Sequence, residues 1–360
     1  MKWLYLFLLL SLAFLSRDLL AQQFVAPSQH KQQTAGRIAL KQKNEAVIYW
    51  PGSSFRLRFK NSTSVKAVLK DQNGQNYFNV ILDDHFVKTI LLDTTKQVYE
   101  LCSGLAPGVH TLELSKRADW FRGETSFYGF ELERGSKVLK LPAPKRRIEF
   151  YGNSITVGAA VEDTQTDQGD GIYTNNYRSY AAITARHFNA GYTCIASSGI
   201  GLMVSWGSLI MPDIYDRLNP DDATSKWDFS KAPAPDIVVV NLFQNDYSIT
   251  QLPQHEQFKK RFGHTAPTED SIIAAYARFI QQIRGHCPRA AIICALGSMD
   301  AVKPGSLWPG YIKKAVAQMN DPLIYTHFFS PIHSGKHPKT DEQEAMAKSL
   351  IRFINEHISW

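Results

Sequence analysis

The stretch RIEFYGNSITVGAAV, Arg147–Val161, decides the fold of the second half of this 360-residue chain. Ile148 and Phe150 belong to a short apolar run typical of a β-strand, whereas SITVGAAV is typical of the start of a helix. The GNS segment that ends at Ser154 must therefore reverse the chain between them. Because a strand, a sharp turn and a helix together expose a nucleophile, this serine is a candidate catalytic residue.

Strand-like and helical segments alternate in the rest of the second half. The strand-like segments include TCIASSG, PDIVVVNLF and AAIICALG, and the helical ones include YRSYAAITARHFN, SIIAAYARFIQQIRGHC and EQEAMAKSLIRFINEHI. This alternation favours an α/β domain in which helices flank a mostly parallel sheet. We predict that the domain covers residues 144–360.

The first half has a different composition. Short segments rich in β-branched and aromatic residues, such as SFRLRFK, YFNVILD and HTLELSKR, are separated by turn formers such as PGSS and DQNGQN. This pattern is typical of an antiparallel β-sandwich or jelly roll, which we expect over residues 22–143. The prolines near residue 142 predict a short, stiff joint between the two domains.

The first 21 residues resemble a secretory signal, with a lysine, a leucine-rich run and a small residue before polar sequence. The apolar run stops at Ser16, short of the roughly 20 residues that cross a bilayer. We therefore expect an exported protein, in the periplasm, secreted or at the cell surface, without a membrane span in its mature form. The net charge of +7 is spread along the chain, without a basic run interleaved with aromatic residues, so nucleic acid is not an expected partner.

Four polar features follow strands of the predicted parallel sheet, and the carboxyl ends of such strands carry the chemistry of open α/β sheets. The features are Ser154, Gly199, Asn245 and His337. Taken alone, each has a structural explanation as a helix cap, a bend, a loop residue or a packed histidine. Together, at one edge of one sheet, they supply a nucleophile, oxyanion donors and a base, and this conjunction favours the catalytic interpretation.

The order of these residues resembles that of the SGNH (GDSL-like) hydrolases. The resemblance is closer to carbohydrate esterase family 2, the acetyl esterases of plant polysaccharides such as xylan and glucomannan, through GRIAL, SSGIGL and MPDIYDR as well. It implies a jelly roll followed by an SGNH-type three-layer α/β/α domain. It also implies Ser154 as the nucleophile, His337 as the base, and an oxyanion hole made by Ser154, Gly199 and Asn245. Such chemistry requires no metal and no cofactor.

Three histidines near the end of the chain are candidates for the base. His327 lies in an aromatic strand-like run and is expected to be packed, whereas His333 remains the alternative base. Thr340 and Gln343 are expected to form a capping box at the start of the last helix. His337 then lies in the loop before that helix, from which it can reach Ser154.

Two positions depart from the family pattern. The aspartate that usually precedes the catalytic histidine by three residues is replaced by Ser334, so we expect a Ser154–His337 dyad whose imidazole N–H donates to a backbone carbonyl near residues 334–335. Phe243 replaces a usual glycine, and we expect it to shift its loop or to line the acyl pocket.

Sugar contacts are expected from aromatic side chains, with Trp206, Trp308 and Phe243 as candidates beside the alternative of ordinary core packing. Two other functions stay open at this point. The protein could be an SGNH esterase that acts on small or lipid esters, or a carbohydrate-binding surface protein without catalytic activity. The serine at position 334 is the best support for the latter.

Overall fold

The computed structural model describes residues 22–29, 33–42, 44–332, 334 and 336–360. The secretory signal expected over residues 1–21 and the alternative base His333 lie outside the described residues.

The first domain consists of two antiparallel sheets of six strands each. One sheet has the order β3-β4-β11-β6-β9, with β1 paired to β11, and the other has the order β12-β5-β10-β7-β8, with β2 paired to β5. The strands are β1 Gln23–Val25, β2 Gln33–Ala35, β3 Ile38–Gln42, β4 Glu45–Ile48, β5 Ser54–Lys60, β6 Val65–Asp71, β7 Tyr77–Leu82, β8 His85–Leu91, β9 Gln97–Cys102, β10 Val109–Lys116, β11 Thr125–Leu132 and β12 Lys137–Leu139. These two sheets confirm the β-sandwich that the first half of the sequence predicts.

Alternating side chains hold the two sheets together. In β5 the side chains of Phe55, Leu57 and Phe59 are fully buried between the sheets, and the arginines between them are partly exposed. Because successive side chains of a strand point to opposite faces, this alternation buries one face of each sheet. A short 3-10 helix, Trp120–Arg122, lies in the connection between β10 and β11.

The second domain is built on a parallel sheet of five strands in the order β14-β13-β15-β16-β17. Its strands are β13 Arg147–Gly152, β14 Gly191–Ala196, β15 Ile237–Asn241, β16 Ala291–Leu296 and β17 Ile324–Phe328. Its helices are α1 Ser154–Val157, α2 Tyr180–His187, α3 Met211–Ile214, α4 Gln244–Thr250, α5 Glu256–Phe262, α6 Glu269–His286, α7 Trp308–Met319 and α8 Thr340–His357. The predicted α/β/α architecture is confirmed.

Both faces of the central sheet are covered, which explains the continuous apolar run of β15. Ile237 and Val239 belong to a core cluster that includes residues of α2 and α8. Val238 and Val240 face the opposite side, in a cluster with residues of α6 and α7. A strand that is buried on both faces has no polar positions to alternate with its apolar ones.

The two domains share a core and a buried ion pair. Trp50 of the first domain lies in the same apolar cluster as Tyr151 of β13. Arg37 lies between β2 and β3 and is fully buried. Its guanidinium donates to the Glu149 carboxylate at 2.9 Å and to the carbonyl oxygen of Tyr215 at 2.6 Å. A charge that is buried in this way must be paired, so these contacts fix the first domain against the second.

The four cysteines are buried and unpaired. Burial raises the pKa of Cys194 to about 12, so this thiol stays protonated at neutral pH. Among the described residues, every helix is too short or too polar to cross a bilayer.

Candidate active site

The turn between β13 and α1 presents Ser154 as the first residue of a helix. Asn153 caps that helix by accepting a hydrogen bond from the N–H of Ile155 at 3.0 Å. A Cβ atom on Gly152 would lie 2.0 Å from Oγ1 of Thr156, so only glycine fits the turn. The chain therefore reverses tightly between strand and helix, as the sequence predicts.

Parallel pairing brings three loops to the same edge of the sheet. Gly152 at the end of β13 pairs with Ala196 of β14 on one side and with Asn241 of β15 on the other. The turn with Ser154, the loop with Gly199 and the loop with Asn245 therefore leave the sheet at the same level. This register explains how loops that are far apart in the chain come to the same edge of the sheet.

His337 is the histidine that reaches Ser154. Its Nε2 lies 2.9 Å from the Ser154 Oγ, and it precedes α8 in the loop where the sequence places it. His327 packs against Phe329 and Phe353, and its Nε2 contacts the Ser349 hydroxyl. Burial lowers the pKa of His327 to about 4, so this histidine is a packed, neutral residue, as expected.

The orienting group of His337 is the carboxylate of Asp167. The Nδ1–H of His337 donates to the Asp167 Oδ2 at 2.9 Å, and the backbone N–H of His337 donates to Oδ1 at 3.2 Å. Ser334 instead donates from its N–H and its hydroxyl to Glu342, at 3.3 and 3.1 Å. The expected dyad with a backbone acceptor was therefore wrong, and the residues form a Ser-His-Asp triad.

The Asp167 carboxylate is held by a network of its own. It lies in a segment that we call the acid loop, residues 162–174, in which the Asp163 carboxylate accepts hydrogen bonds from the N–H groups of residues 165, 166 and 168. Lys339 donates from Nζ to the Asp167 Oδ1 at 2.7 Å. Burial raises the pKa of Asp167, but the hydrogen bonds from Lys339 and His337 outweigh it, and the pKa of Asp167 is lowered. The carboxyl group is therefore ionised at neutral pH.

The capping box predicted for α8 was wrong in its residues. Glu342 accepts the N–H of Lys339 at 2.9 Å, whereas Thr340 donates to the Val161 carbonyl. The Gln343 amide instead accepts the N–H of Tyr180 at 2.7 Å and donates to the Ile155 carbonyl. Gln343 therefore ties the last helix to the helix that carries the nucleophile.

Two backbone N–H groups, those of Ser154 and Gly199, are expected to line the oxyanion hole. We call residues 197–204 the oxyanion loop. Gly199 has a φ of +77°, and a Cβ atom on it would lie 3.3 Å from the Trp206 Cβ. Within the part of the chain that the structure describes, neither the Ser154 N–H nor the Gly199 N–H donates to another residue. Both are available to a substrate oxygen.

The Asn245 side chain is fixed in one orientation. It is 7% exposed, its Oδ1 accepts the Trp206 indole N–H at 3.0 Å, and its Nδ2 donates to the Ile200 carbonyl at 2.7 Å. A primary amide has two N–H groups, so one remains for a ligand. These contacts agree with a role of Asn245 as the third oxyanion donor.

The far end of the oxyanion loop is attached to Asp246. Its fully buried carboxylate accepts the N–H groups of Leu202, Met203 and Val204 at distances from 2.6 to 3.1 Å. Burial raises the pKa of Asp246 to about 6, although these hydrogen bonds act in the opposite direction. The residue next to Asn245 therefore fixes the loop that carries Gly199.

Two of the expected sugar contacts are core residues. Phe243 is fully buried, with its ring centroid 4.9 Å from the centroids of Trp308 and Tyr276. Its φ of +85° lies in the region that favours glycine, which explains why glycine is usual at this position. Trp308 is 7% exposed in the same cluster. Neither ring offers a free face to a sugar. Trp206 is 46% exposed and remains a candidate sugar contact.

We expect Asn245→Ala to lower kcat by about 100- to 1,000-fold, because it removes one donor to the developing oxyanion. KM for a small aryl acetate should change little, since the lost hydrogen bond is strongest in the transition state. Steady-state kinetics on p-nitrophenyl acetate, with the melting temperature as a check on folding, measures this effect. A loss confined to KM would contradict the oxyanion role.

Among the described residues, no group of three or more His, Cys, Asp or Glu side chains is arranged as metal ligands would be. The site combines the Ser154 hydroxyl, an imidazole held by a carboxylate, and three candidate hydrogen-bond donors. This arrangement suits acyl transfer from an ester through a covalent intermediate.

The chain is similar to known proteins over most of its length. Residues 34–142 match the family model described as carbohydrate esterase 2 N-terminal. The chain is 34% identical over 342 residues to the cellulase/esterase CelE of Acetivibrio thermocellus, covering 90% of this chain but only 39% of that relative. It is 28% identical to an acetylxylan esterase / glucomannan deacetylase of Cellvibrio japonicus, with 89% of both chains covered.

A solved structure extends the likeness to both domains. The family two carbohydrate esterase from Clostridium thermocellum, in complex with cellohexaose, superposes with a TM-score of 0.80 at 31% identity. The match covers 90% of this chain and 98% of that one. The sandwich, the parallel sheet and their connection are therefore common to both proteins.

Proposed function

The chain belongs to carbohydrate esterase family 2, and we propose that it removes O-acetyl groups from plant polysaccharides or their oligosaccharides, such as xylan and glucomannan. The observation that carries this proposal is the hydrogen-bonded chain from Ser154 through His337 to Asp167, next to free oxyanion donors. The names of relatives that act on acetylated xylan and glucomannan support the substrate class.

Acylation begins at the serine. His337, with its proton on Nδ1, accepts the hydroxyl proton of Ser154 at Nε2 while Oγ attacks the acetyl carbonyl carbon. The Asp167 carboxylate stabilises the imidazolium that forms. The N–H groups of Ser154 and Gly199 and the amide of Asn245 stabilise the carbonyl oxygen as it becomes negative. The imidazolium then donates this proton to the departing sugar oxygen as the bond between that oxygen and the acetyl carbon breaks, which leaves an acetyl-serine.

Deacylation repeats these steps with water. Nε2 of His337 accepts a proton from a water molecule that attacks the acetyl carbonyl, and the same oxyanion donors stabilise the second tetrahedral intermediate. Collapse of that intermediate releases acetate and returns the proton to the Ser154 oxygen. Residues of this chain supply the nucleophile, the base and the oxyanion donors for these steps.

Two exposed aromatic residues near the site offer faces for sugar rings. Trp206 is 46% exposed, and its indole N–H already contacts Asn245. Phe121 is 49% exposed on the 3-10 helix of the first domain, next to Trp120, which donates to the Ser197 hydroxyl in the oxyanion loop. Aromatic faces bury apolar area and tolerate polar neighbours, which suits the C–H faces of a sugar ring.

We expect Trp206→Ala to lower the ratio of kcat/KM on acetylated xylan to kcat/KM on p-nitrophenyl acetate by about tenfold, since one stacked ring is worth about 1 kcal/mol or slightly more. Trp206→Phe keeps an aromatic face but loses the hydrogen bond to Asn245. It should therefore lower kcat/KM on acetylated xylan and kcat/KM on p-nitrophenyl acetate by similar factors. Phe86→Ala, which removes an exposed ring on β8, serves as the control. An unchanged ratio in Trp206→Ala would exclude Trp206 as a sugar contact.

Acetate release from acetylated xylan and acetylated glucomannan tests the proposal, with Ser154→Ala as the inactive control. Release by the parent that falls to the buffer background in Ser154→Ala supports it and ranks the substrates. Preference for long-chain esters would favour the alternative of a lipid or small-ester hydrolase. Binding to polysaccharide without acetate release would favour a carbohydrate-binding protein. The main sequence support for that alternative was the serine at position 334, and it is weakened because Asp167 accepts the hydrogen bond from His337 instead.

As part of the same proposal, we place the activity outside the cytoplasm, secreted, in the periplasm or on the cell surface. The composition of residues 1–21 supports this location. Detection of acetyl esterase activity in the periplasmic or culture fractions of expressing cells tests it.

A further inference from the structure

The connection between β10 and β11 in the first domain, residues 117–124, reaches the active site of the second. Asp119 in this connection is 1% exposed. Its Oδ1 accepts the backbone N–H of Ser198 at 2.7 Å, and its Oδ2 accepts the Ser198 hydroxyl at 2.9 Å. Ser198 immediately precedes Gly199, so the first domain holds the residue next to an oxyanion donor.

A second contact fixes the same end of the oxyanion loop. The indole N–H of Trp120 donates to the Ser197 hydroxyl at 3.0 Å. On the other side of Gly199, Asp246 accepts the N–H groups that follow. Gly199, with its positive φ, thus lies between an anchor from the first domain and an anchor from α4.

The acid loop is attached to the same connection. Arg117 donates to the carbonyl oxygens of Thr174 and Ile172 at 3.1 and 2.7 Å and pairs with Glu162. Arg122 donates to the Gly169 carbonyl. One segment of the first domain therefore contacts both the loop of the oxyanion donor and the loop of the triad carboxylate.

We propose that Asp119 is a positioning residue for catalysis, which fixes the Ser198–Gly199 peptide so that the Gly199 N–H points at the developing oxyanion. Burial of a carboxylate is costly unless it is fully hydrogen-bonded. Both oxygens of the Asp119 carboxylate accept hydrogen bonds from a single residue of the oxyanion loop, Ser198. An error of about 1 Å at such a donor costs about 100-fold in rate, so the first domain contributes to catalysis as well as to the shared core.

The test compares variants on p-nitrophenyl acetate, whose hydrolysis rests on the serine esterase part of the proposed function and not on the polysaccharide substrate. Failure to deacetylate xylan would thus leave this test intact. A p-nitrophenyl phosphonate inhibitor, which modifies Ser154 stoichiometrically, counts the active sites in each preparation. We expect Asp119→Ala to lower kcat per titrated site by about 10- to 100-fold with KM within about twofold of the parent. The rate constant of phosphonylation should fall by a similar factor, because the phosphonyl oxygen uses the same donors.

Matched variants separate positioning from folding. Asp93 also accepts the N–H and the hydroxyl of one residue, Thr95, in a turn of the first domain, so Asp93→Ala removes the same pair of hydrogen bonds away from the active site. We expect the parent's kcat per titrated site in Asp93→Ala, and an intermediate loss in Asp119→Asn, which keeps one acceptor.

Fewer titratable sites with an unchanged kcat per site in Asp119→Ala would overturn the proposal, because that result marks a purely structural role. If Asp119→Ala does not fold, Asp119→Asn and Ser198→Ala decide the question by the same per-site measurement. An unchanged value in both would also overturn it.

Discussion

Replacing His337 by alanine is expected to lower kcat by about 10⁶-fold, the loss seen when a serine hydrolase loses its serine or its histidine. The structure places its Nε2 2.9 Å from the Ser154 hydroxyl, and we identify no other base at that distance among the described residues. Without the imidazole, the hydroxyl has no proton acceptor and the leaving sugar has no proton donor. Single-turnover kinetics on p-nitrophenyl acetate would measure the residual rate.

His333→Ala is the matched control for that experiment, since His333 is the other histidine of the same segment that sequence reasoning considered. We expect His333→Ala to keep the parent's kcat within about tenfold. The reverse pattern, with a large loss in His333→Ala and a small one in His337→Ala, would move the base to position 333. Circular dichroism and melting temperature should confirm that both variants fold.

Sequence reasoning reached the fold and much of the candidate site because local patterns carried the information. The turn at Ser154 has strict steric requirements, since Gly152 leaves no room for a Cβ. The alternation of strand-like and helical segments predicted a parallel sheet flanked by helices, and Gly199 and Asn245 follow two of its strands. The register that brings these loops together is a general property of parallel sheets, so it did not have to be read from particular residues.

The triad carboxylate escaped sequence reasoning because nothing local identifies it. Asp167 lies in the polar segment EDTQTDQGDG, among several other acidic residues, and is 170 positions from His337 in the chain. The hydrogen bonds that Asp163 makes within this loop are typical of a well-formed turn. Which carboxylate faces the imidazole depends on the tertiary contacts of Arg117 and Lys339, which no sequence pattern reports.

The errors at Phe243 and Trp308 have a related cause. Aromatic side chains near a site suggest ligand contacts, but exposure depends on which other side chains surround them. Here the two rings pack on each other inside a buried cluster with other residues of α6 and α7. The positive φ of Phe243 is a backbone property that the usual glycine signals, and the chain keeps it with a buried aromatic residue instead.

The first domain also has a clearer role than its sequence indicates. Arg117 ends the segment HTLELSKR, which the sequence pattern marks only as a strand of the β-sandwich, and Asp119 and Trp120 follow shortly after it. In the structure all three contact loops of the second domain. A sandwich that contacts both active-site loops acts as part of the catalytic scaffold.

Asp167→Asn is expected to lower kcat by about 10⁴-fold, with KM on a small ester nearly unchanged. An asparagine amide at this position would donate to Nδ1 instead of accepting from it, so the proton would move to Nε2 and the imidazole could no longer accept the Ser154 proton. The imidazolium formed in the reaction would also lose its carboxylate partner. Steady-state kinetics with active-site titration measures both losses together.

The same variant has a pH signature that follows from the pKa of Asp167. Lys339 and His337 hold that pKa below its ordinary value. Ionisation of Asp167 therefore stabilises the folded state relative to the unfolded chain. The stabilisation is present above the ordinary carboxyl pKa and is lost as the pH falls through the lowered folded-state value. Urea denaturation should therefore show a stability difference between parent and Asp167→Asn at neutral pH that shrinks in acid.

Asp170→Asn is the matched control, since it removes one negative charge from an exposed side chain of the same loop. We expect this variant to keep the parent's kcat within about twofold. If Asp167→Asn lost less than tenfold, a backbone acceptor would suffice and the site would work as the Ser154–His337 dyad after all. A loss of about 10⁴-fold in Asp167→Asn alone would instead show that this chain has kept a full triad by recruiting its carboxylate from a loop far upstream of the position that is usual in the family.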